Sequence, residues 1–399
     1  MLTTSWPDSE TSDAPGSWIM RRIIKQLFAA ALYYSGLLAL LDYCALALTR
    51  KPHEVLLMYH RVLDDPFSES EYAQTGTAVS TKSFEAQMVF LAKKFTVLTA
   101  AEYVKRRKSG TPLPKKCAVV TFDDGWADNY ENAYPILKKH KIPATIFLCS
   151  DFVNSTKKFW FHEMIHAIKW QNLTAGQLEQ ALNRFQSQTP AGASQPVSLS
   201  THTTWNALIN SFFRLAKTLS ADQLGVLLAD LTRITGKSDD DWKSKRFILS
   251  WDEIAAMDPA IIEIGSHGKS HRLLTAISRD ESARELIESK RDIEEKLGRR
   301  VLTFAYPNGS YDETIKQMTA EAGYEGAFGV GFDHLDSDLF AVSRSGVHEG
   351  AIAGFRGKFS PAIWAAKLSP AYQLWFDKRK GPQEKVNNRN NAHYAIDAF

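Results

Sequence analysis

Two clusters of polar residues in this 399-residue chain have the types and spacing that hydrolytic chemistry needs. The first is Thr121-Phe122-Asp123-Asp124-Gly125, at the end of the apolar run CAVVTF. Adjacent carboxylates in a cleft raise each other's pKa, so both stay ionised only where a cation or hydrogen-bond donors compensate. A metal beside one of them resolves the conflict. That carboxylate ligates, and its neighbour, aimed elsewhere by the turn, is available as a base, with Gly125 permitting close backbone approach. Alone, the DDG triplet is better read as an exposed turn with no chemistry. The second cluster is Ser266-His267-Gly268-Lys269-Ser270-His271, directly after IIEIG. Two imidazoles four residues apart share one face of a helical turn, so both rings can point at one ion. In isolation they also fit two ordinary surface histidines. Taken together, one Asp and two His supply three protein ligands and leave a position for water, the arrangement of a catalytic rather than a structural zinc site.

A third motif, Phe304-Ala305-Tyr306-Pro307-Asn308-Gly309, ends another apolar run, and its YPNG is by itself an ordinary turn. The elements that must position these motifs are short apolar runs alternating with helical patterns from Val55 onward: VLLMY (55–59), CAVVTF (117–122), ATIFLC (144–149), IIEIG (261–265), VLTFAY (301–306) and GAFGV (326–330). Such alternation predicts an α/β fold with a parallel sheet, which places its sites at the ends of strands. Thr99 with Glu102, Ser250 with Glu253 and Ser278 with Glu281 have capping-box spacing and mark helix starts. Residues 157–245 break the rhythm: two amphipathic patterns, one around NALINSFFRLAKTL, flank the polar stretch 186–204 and predict a helical insertion. Its apolar residues read as core. After Gly350 the chain, ending in DKRKGPQEKVNNRNNAHYAIDAF, is expected to be an irregular, solvated tail over 351–399.

With 44% hydrophobic and 23% charged residues the chain is globular, and a net charge of +3 gives no electrostatic case for a nucleic-acid partner. Cys44, Cys117 and Cys149 have no paired spacing; the latter two read as buried thiols in strands. Residues 1–52 divide into a polar tail and, from Met20, a basic start followed by the uncharged run Leu27 to Leu41, interrupted at Asp42. Three readings stand side by side: a transmembrane helix or uncleaved anchor, a signal peptide with a small-residue site at Ala45-Leu46-Ala47, and a hydrophobic helix lying on a membrane or on the domain itself. The protein is accordingly expected to be membrane-associated or extracytoplasmic, with a membrane surface as a possible contact.

The order TFDDG, HxxxH, then a strand ending in xxPxG resembles the polysaccharide deacetylase family, also called NodB-homology or carbohydrate esterase family 4. LMYHRV (57–62), SFEAQMVFLAKKFTVLTAAEYV and LSWDEI extend the resemblance, which covers about residues 53–350. It implies a distorted (β/α) barrel and a metal-dependent hydrolase that removes N-acetyl groups from the amino sugars of a polysaccharide or its lipid-linked precursor. Asp123 would be the base, and Asp124, His267 and His271 the ligands of a divalent metal, zinc by default with cobalt or another ion possible. The loop of Tyr306, Pro307 and Asn308 would line the substrate site, with the Asn308 amide holding the oxyanion. Many members carry an Arg where this chain has Ala305; Arg344 could replace it. The histidine that protonates the leaving amine has no clear counterpart, with His348 as candidate, and His60 could line the pocket. Other amide hydrolysis on the same fold and non-catalytic glycan binding remain as alternatives.

Overall fold

The computed structural model describes residues 17–66, 76–167, 173–188, 221–235, 240–331, 338–354 and 358–371, with isolated positions between 212 and 219. Ten strands are present among them: β1 (His53–Tyr59), β2 (Arg61–Leu63), β3 (Ala78–Ser80), β4 (Thr96–Leu98), β5 (Lys116–Phe122), β6 (Ala144–Leu148), β7 (Ile262–Ser266), β8 (Thr303–Ala305), β9 (Gly326–Val330) and β10 (Val342–Gly346). The order β1-β10-β9-β8-β7-β6-β5 is closed by a β1–β5 pairing from His53↔Lys116 to Tyr59↔Phe122, so seven parallel strands form a barrel. β4 adds to β5, and β2 pairs with β3 outside the barrel. The six expected strands are all present. β4 and β10 lack a long apolar run, since VSRSG carries Ser and Arg where a buried strand normally carries Val or Ile.

Strand alternation decides which side chains face the barrel interior. On β5, Ala118, Val120 and Phe122 pack outward in the large core that includes the helical residues Phe84 and Met88, whereas Cys117 and Val119 join the inner cluster with Leu56, Phe147, Ala305, Phe328 and Val342. Continuing each register by twos brings Thr121 and Asp123, Glu263, Gly265 and His267, and Arg344 to the same inner face. The helix Ala100–Ser109 closes the opposite end: its first amides donate to Thr145 Oγ1 (2.9 Å) and Glu263 (3.1 Å), and Tyr103 Oη donates to Glu54 (2.6 Å).

Ser250 and Ser278 make full capping boxes; Thr99 makes only its half, because Glu102 is drawn to Arg106 at 2.7 Å. Within 157–245 the described helices are Trp160–Ile165, Ala175–Gln188, Ala221–Thr235 and Asp240–Ser244, while most of NALINSFFRLAKTL and of 186–204 lies outside the described residues. Two expectations are corrected. The hydrophobic N-terminal helix is two helices, Ser17–Tyr34 and Leu37–Thr49, bent by 77° at a break where Gly36 takes φ 77°. The stretch after Gly350 is not uniformly irregular: the helix Pro361–Lys367, started by Ser360 capping Ile363, buries Trp364, Ala365 and Ala366, because it has the N-terminal helices to pack on. Residues 372–399 lie outside the described part.

Gly265 shows how tightly the interior is filled: a Cβ there would lie 2.5 Å from Phe147 Cδ1 and 3.1 Å from the Thr303 carbonyl. Gly265→Ala is expected to cost about 1–3 kcal/mol by overpacking, read from the midpoint of urea unfolding.

Candidate metal centre

The motifs meet at the carboxyl ends of the barrel strands. Asp123 follows β5 and keeps its inward register, with its amide donating to the Tyr59 carbonyl at 3.0 Å. Asp124 (φ 74°) and Gly125 (φ 78°) then both turn left-handed, which aims the second carboxylate away from the first. Gly125 is required for a second reason: a Cβ would sit 2.7 Å from Leu148 Cδ2. Both carboxylates and His267 are 2% exposed, so their environments, not bulk water, set their charge.

Arg344 on β10 is wholly buried and grips Asp123 through two parallel bonds, Nη1 to Oδ1 at 2.6 Å and Nη2 to Oδ2 at 2.8 Å. Its Nη1 also donates to Thr121 Oγ1 (2.9 Å) and its Nε to the Gly329 carbonyl (3.3 Å), while the guanidinium lies 5.2 Å from the centre of the Phe147 ring. Burial would raise the Asp123 pKa, but the Arg344 charge, with help from His267, outweighs it and holds the carboxyl down to about 2. Asp124 is treated oppositely: burial pushes it above the usual carboxylate range. The adjacent acids are thus separated electrostatically.

His267 donates Nδ1–H to the Ala305 carbonyl at 2.7 Å, which leaves Nε2 as a lone-pair donor. Burial lowers its pKa to about 4, so the ring is neutral. Its Nε2 lies 3.6 Å from Asp124 Oδ1, and His271 Nε2 lies 3.4 Å from the same oxygen. That oxygen is buried and takes no hydrogen bond among the described residues. The three ligand atoms lie within 4.8 Å of one another. A tetrahedral ion with bonds of ~2.0–2.1 Å needs ligand atoms roughly 3.3–3.4 Å apart. The donor set therefore fits a divalent metal.

The expected helical turn for the histidines is corrected: residues 267–273 form a loop, with Gly268 (φ 85°) and His271 (φ 58°) left-handed. Glu285 makes this loop possible by accepting from the amides of Lys269 (2.7 Å) and Ser270 (2.9 Å), as well as from the Ser270 hydroxyl. A helix would have needed those amides for itself. Phe159 and Phe161, at the start of the insertion, stand edge-on to His271 with ring centres 5.3 and 5.4 Å away.

The remaining expected site residues divide. His60 is half-buried just past β1, near both aspartates. Its carbonyl is held by Asn129 Nδ2 (2.9 Å), from a single π-helical turn over Asn129–Ala133. Asn308 stands at φ 61° between buried Pro307 and Gly309 in the loop after β8. His348 lies two residues past β10 on the same rim; the next residue, Glu349, anchors it by accepting from the Ser80 amide (2.7 Å) and the Ser83 hydroxyl (2.6 Å). Tyr306 is corrected. It is fully buried, stacks on Tyr311 at 4.8 Å and donates its hydroxyl to the Phe340 carbonyl at 3.0 Å, so it supports the loop and offers no face to a ligand.

Of three positioning residues, Trp126 and Asp128 have no signal in the sequence, and Arg61 enters only within the run LMYHRV. Trp126 Nε1 donates to Asp124 Oδ2 at 2.9 Å, leaving Oδ1 toward the histidines. The Arg61 guanidinium lies 4.5 Å over the Trp126 ring and is itself paired with buried Asp128 at 2.8 Å. Trp126→Phe keeps the ring and removes the donor. It is expected to weaken zinc binding about ten- to hundredfold, measured by competition with a chromophoric chelator. Unchanged affinity would show that the bond does not orient the ligand.

The pattern of the polysaccharide deacetylase family matches residues 110–327. The poly-beta-1,6-N-acetyl-D-glucosamine N-deacetylase of Staphylococcus epidermidis is 34% identical over 122 residues, 29% of this chain and 41% of that protein. The protein of the same name from Staphylococcus aureus MSSA476 is 41% identical over 90 residues, 22% of this chain and 29% of that one. The matched stretches thus span less than half the length of these relatives. Among solved structures, the Streptococcus pyogenes deacetylase PplD in complex with acetate covers 80% of this chain and 96% of its own at 17% identity and a TM-score of 0.46; IcaB from Ammonifex degensii covers 80% and 97% at 18% and 0.45. Because the family pattern takes in more than half of the sequence, including both Asp123-Asp124 and His267–His271, the chain belongs to the polysaccharide deacetylase family.

Proposed function

We propose that this protein is a metal-dependent N-deacetylase of amino-sugar polymers, cleaving the acetamide of N-acetylglucosamine units in a polysaccharide or its lipid-linked precursor. The single observation that carries the reading is the division of labour between neighbouring acids: Asp123 is bound through both oxygens to Arg344, and Asp124 presents a bare oxygen to two imidazole nitrogens. The names of the staphylococcal relatives favour a β-1,6-linked polymer as the first substrate to try.

A divalent ion held by Asp124, His267 and His271, zinc in the first instance, would supply Lewis-acid polarisation of the acetamide carbonyl and of a water molecule. Asp123, kept anionic by Arg344, orients that water and takes its proton as the new C–O bond forms. The Asn308 amide donates to the oxyanion of the tetrahedral intermediate. His348 gives a proton to the amine nitrogen as the C–N bond breaks, leaving acetate and a free amino sugar. Ala305, where many members carry Arg, would suit a non-catalytic relative, and Arg344 supports the catalytic reading because its guanidinium reaches Asp123 from another strand.

Acetate release from β-1,6-linked N-acetylglucosamine oligomers tests this. Zinc-loaded wild type is expected to release acetate, and Asp123→Asn to retain zinc while losing ~10²–10⁴-fold in kcat. His267→Ala is expected to lose both zinc and activity. Zinc binding without acetate release from any N-acetylated glycan would reject the proposal.

A further inference from the structure

The N-terminal helices Ser17–Tyr34 and Leu37–Thr49 carry nine of the eleven large hydrophobic side chains that stand most exposed among the described residues, including Leu27 (62%), Phe28 (65%), Leu40 (58%) and Leu48 (84%). Their polarity is inverted. Two polar side chains that flank the uncharged run turn toward the protein: Gln26 Nε2 donates to the Ala353 carbonyl at 3.3 Å, and Asp42 Oδ1 accepts from the Ser369 hydroxyl and from the Ala371 amide at 3.3 Å. Between them Ala29, Leu32, Tyr33 and Leu38 pack on Ala365 and Ala366 of the helix Pro361–Lys367. In a water-facing amphipathic helix the apolar stripe faces the core and the polar residues face out. Here an apolar face of two helices is turned outward, a contiguous patch of the kind that marks an interaction surface.

We infer that this outer face is an in-plane membrane anchor, seated in the headgroup and upper acyl region of a lipid leaflet, and that Asp42 latches it to the catalytic domain. Two observations select lipid as the occupant. The exposed cations Lys25, Arg50 and Lys51 flank the apolar stretch at its two ends, where lipid phosphates would meet them, and no charged residue lies between Lys25 and Asp42. The helices are also built for lying flat. Among the described residues no single helix is long and apolar enough to cross a bilayer; the pair passes only when its two helices are counted together, and they are bent by 77°, with Leu37–Thr49, at 13 residues, ~20 Å long against a hydrocarbon core of ~30 Å. Asp42, the charge that interrupts the apolar run, is withdrawn from the outer face by its bonds to Ser369 and Ala371.

The test is flotation of the purified full chain with preformed vesicles of equimolar phosphatidylcholine and phosphatidylglycerol. Wild type is expected to float with the vesicles, and the double variant Phe28→Asp/Leu40→Asp to bind at least roughly tenfold more weakly with its circular dichroism and zinc binding unchanged. Asp42→Ala is expected to float like wild type but to speed amide hydrogen exchange in Pro361–Lys367, the mark of a lost latch. Failure of wild type to float overturns the inference, as does flotation undiminished in the double variant. A lipid-free dimer that the double variant dissolves, with no flotation of wild type, would assign the face to a second copy instead.

Discussion

The site rests on a buried ion pair that cannot exist without a closed barrel. Arg344 and Asp123 are both out of water, and taking two such charges from solvent costs several kcal/mol per ion, returned only by close geometry and full hydrogen bonding. The structure meets both conditions: two parallel bonds to Asp123, a third to Thr121, a fourth to the Gly329 carbonyl, and aromatic rings beside the guanidinium plane. Arg344 stands on β10 and Asp123 just past β5, with β1 hydrogen-bonded to both strands. The pairing of β1 with β5 that closes the sheet therefore also sets the distance across which the two charges meet. An open sheet of the same strands would leave each charge without its partner.

A single backbone step separates the two acids in function. Asp123 stays in the extended register of its strand and points at Arg344, whereas Asp124 enters the left-handed region and points at the histidines. A left-handed conformation costs a non-glycine residue of order 1 kcal/mol, so it persists only where the surroundings hold it. Trp126 Nε1 supplies one hold, and the close fit of Gly125 against Leu148 supplies another. His271 and Asn308 are left-handed too, so three of the loops at this rim carry local strain beside the chemistry.

How much of this the sequence discloses depends on whether a residue's partner is local. Asp123-Asp124 and His267/His271 are legible because each pair sits beside an apolar run that can only be a buried strand, and the barrel follows from the alternation of such runs with helices. Arg344 is harder: its strand looks polar because the buried Arg is paid for by an acid 221 positions away, which no window of sequence contains. The conformation around His267 fails for a related reason. Spacing of i and i+4 suggests a helical face, but Glu285, from the helix Arg279–Leu297, binds the amides that a helix would have used. Tyr306 is misleading in the opposite direction, since a motif position beside a catalytic loop is occupied by a core residue whose hydroxyl is tied to Phe340.

The insertion changes the character of the site even though none of its described residues is among the three candidate ligands. Phe159 and Phe161 lie against His271, and Phe159 also packs on Trp126 at 5.5 Å, so one side of the candidate metal centre is walled by aromatic carbon rather than by water. Lower local polarity strengthens each charge interaction it encloses. Burial lowers the His267 pKa and raises that of Asp124, and both effects raise the value of a cation among the three ligand atoms. Hydrogen bonds donated by Arg344 and Trp126 and accepted by Glu285 thus fix where the charged and lone-pair atoms stand, while the aromatic wall sets how strongly they act on whatever lies between them.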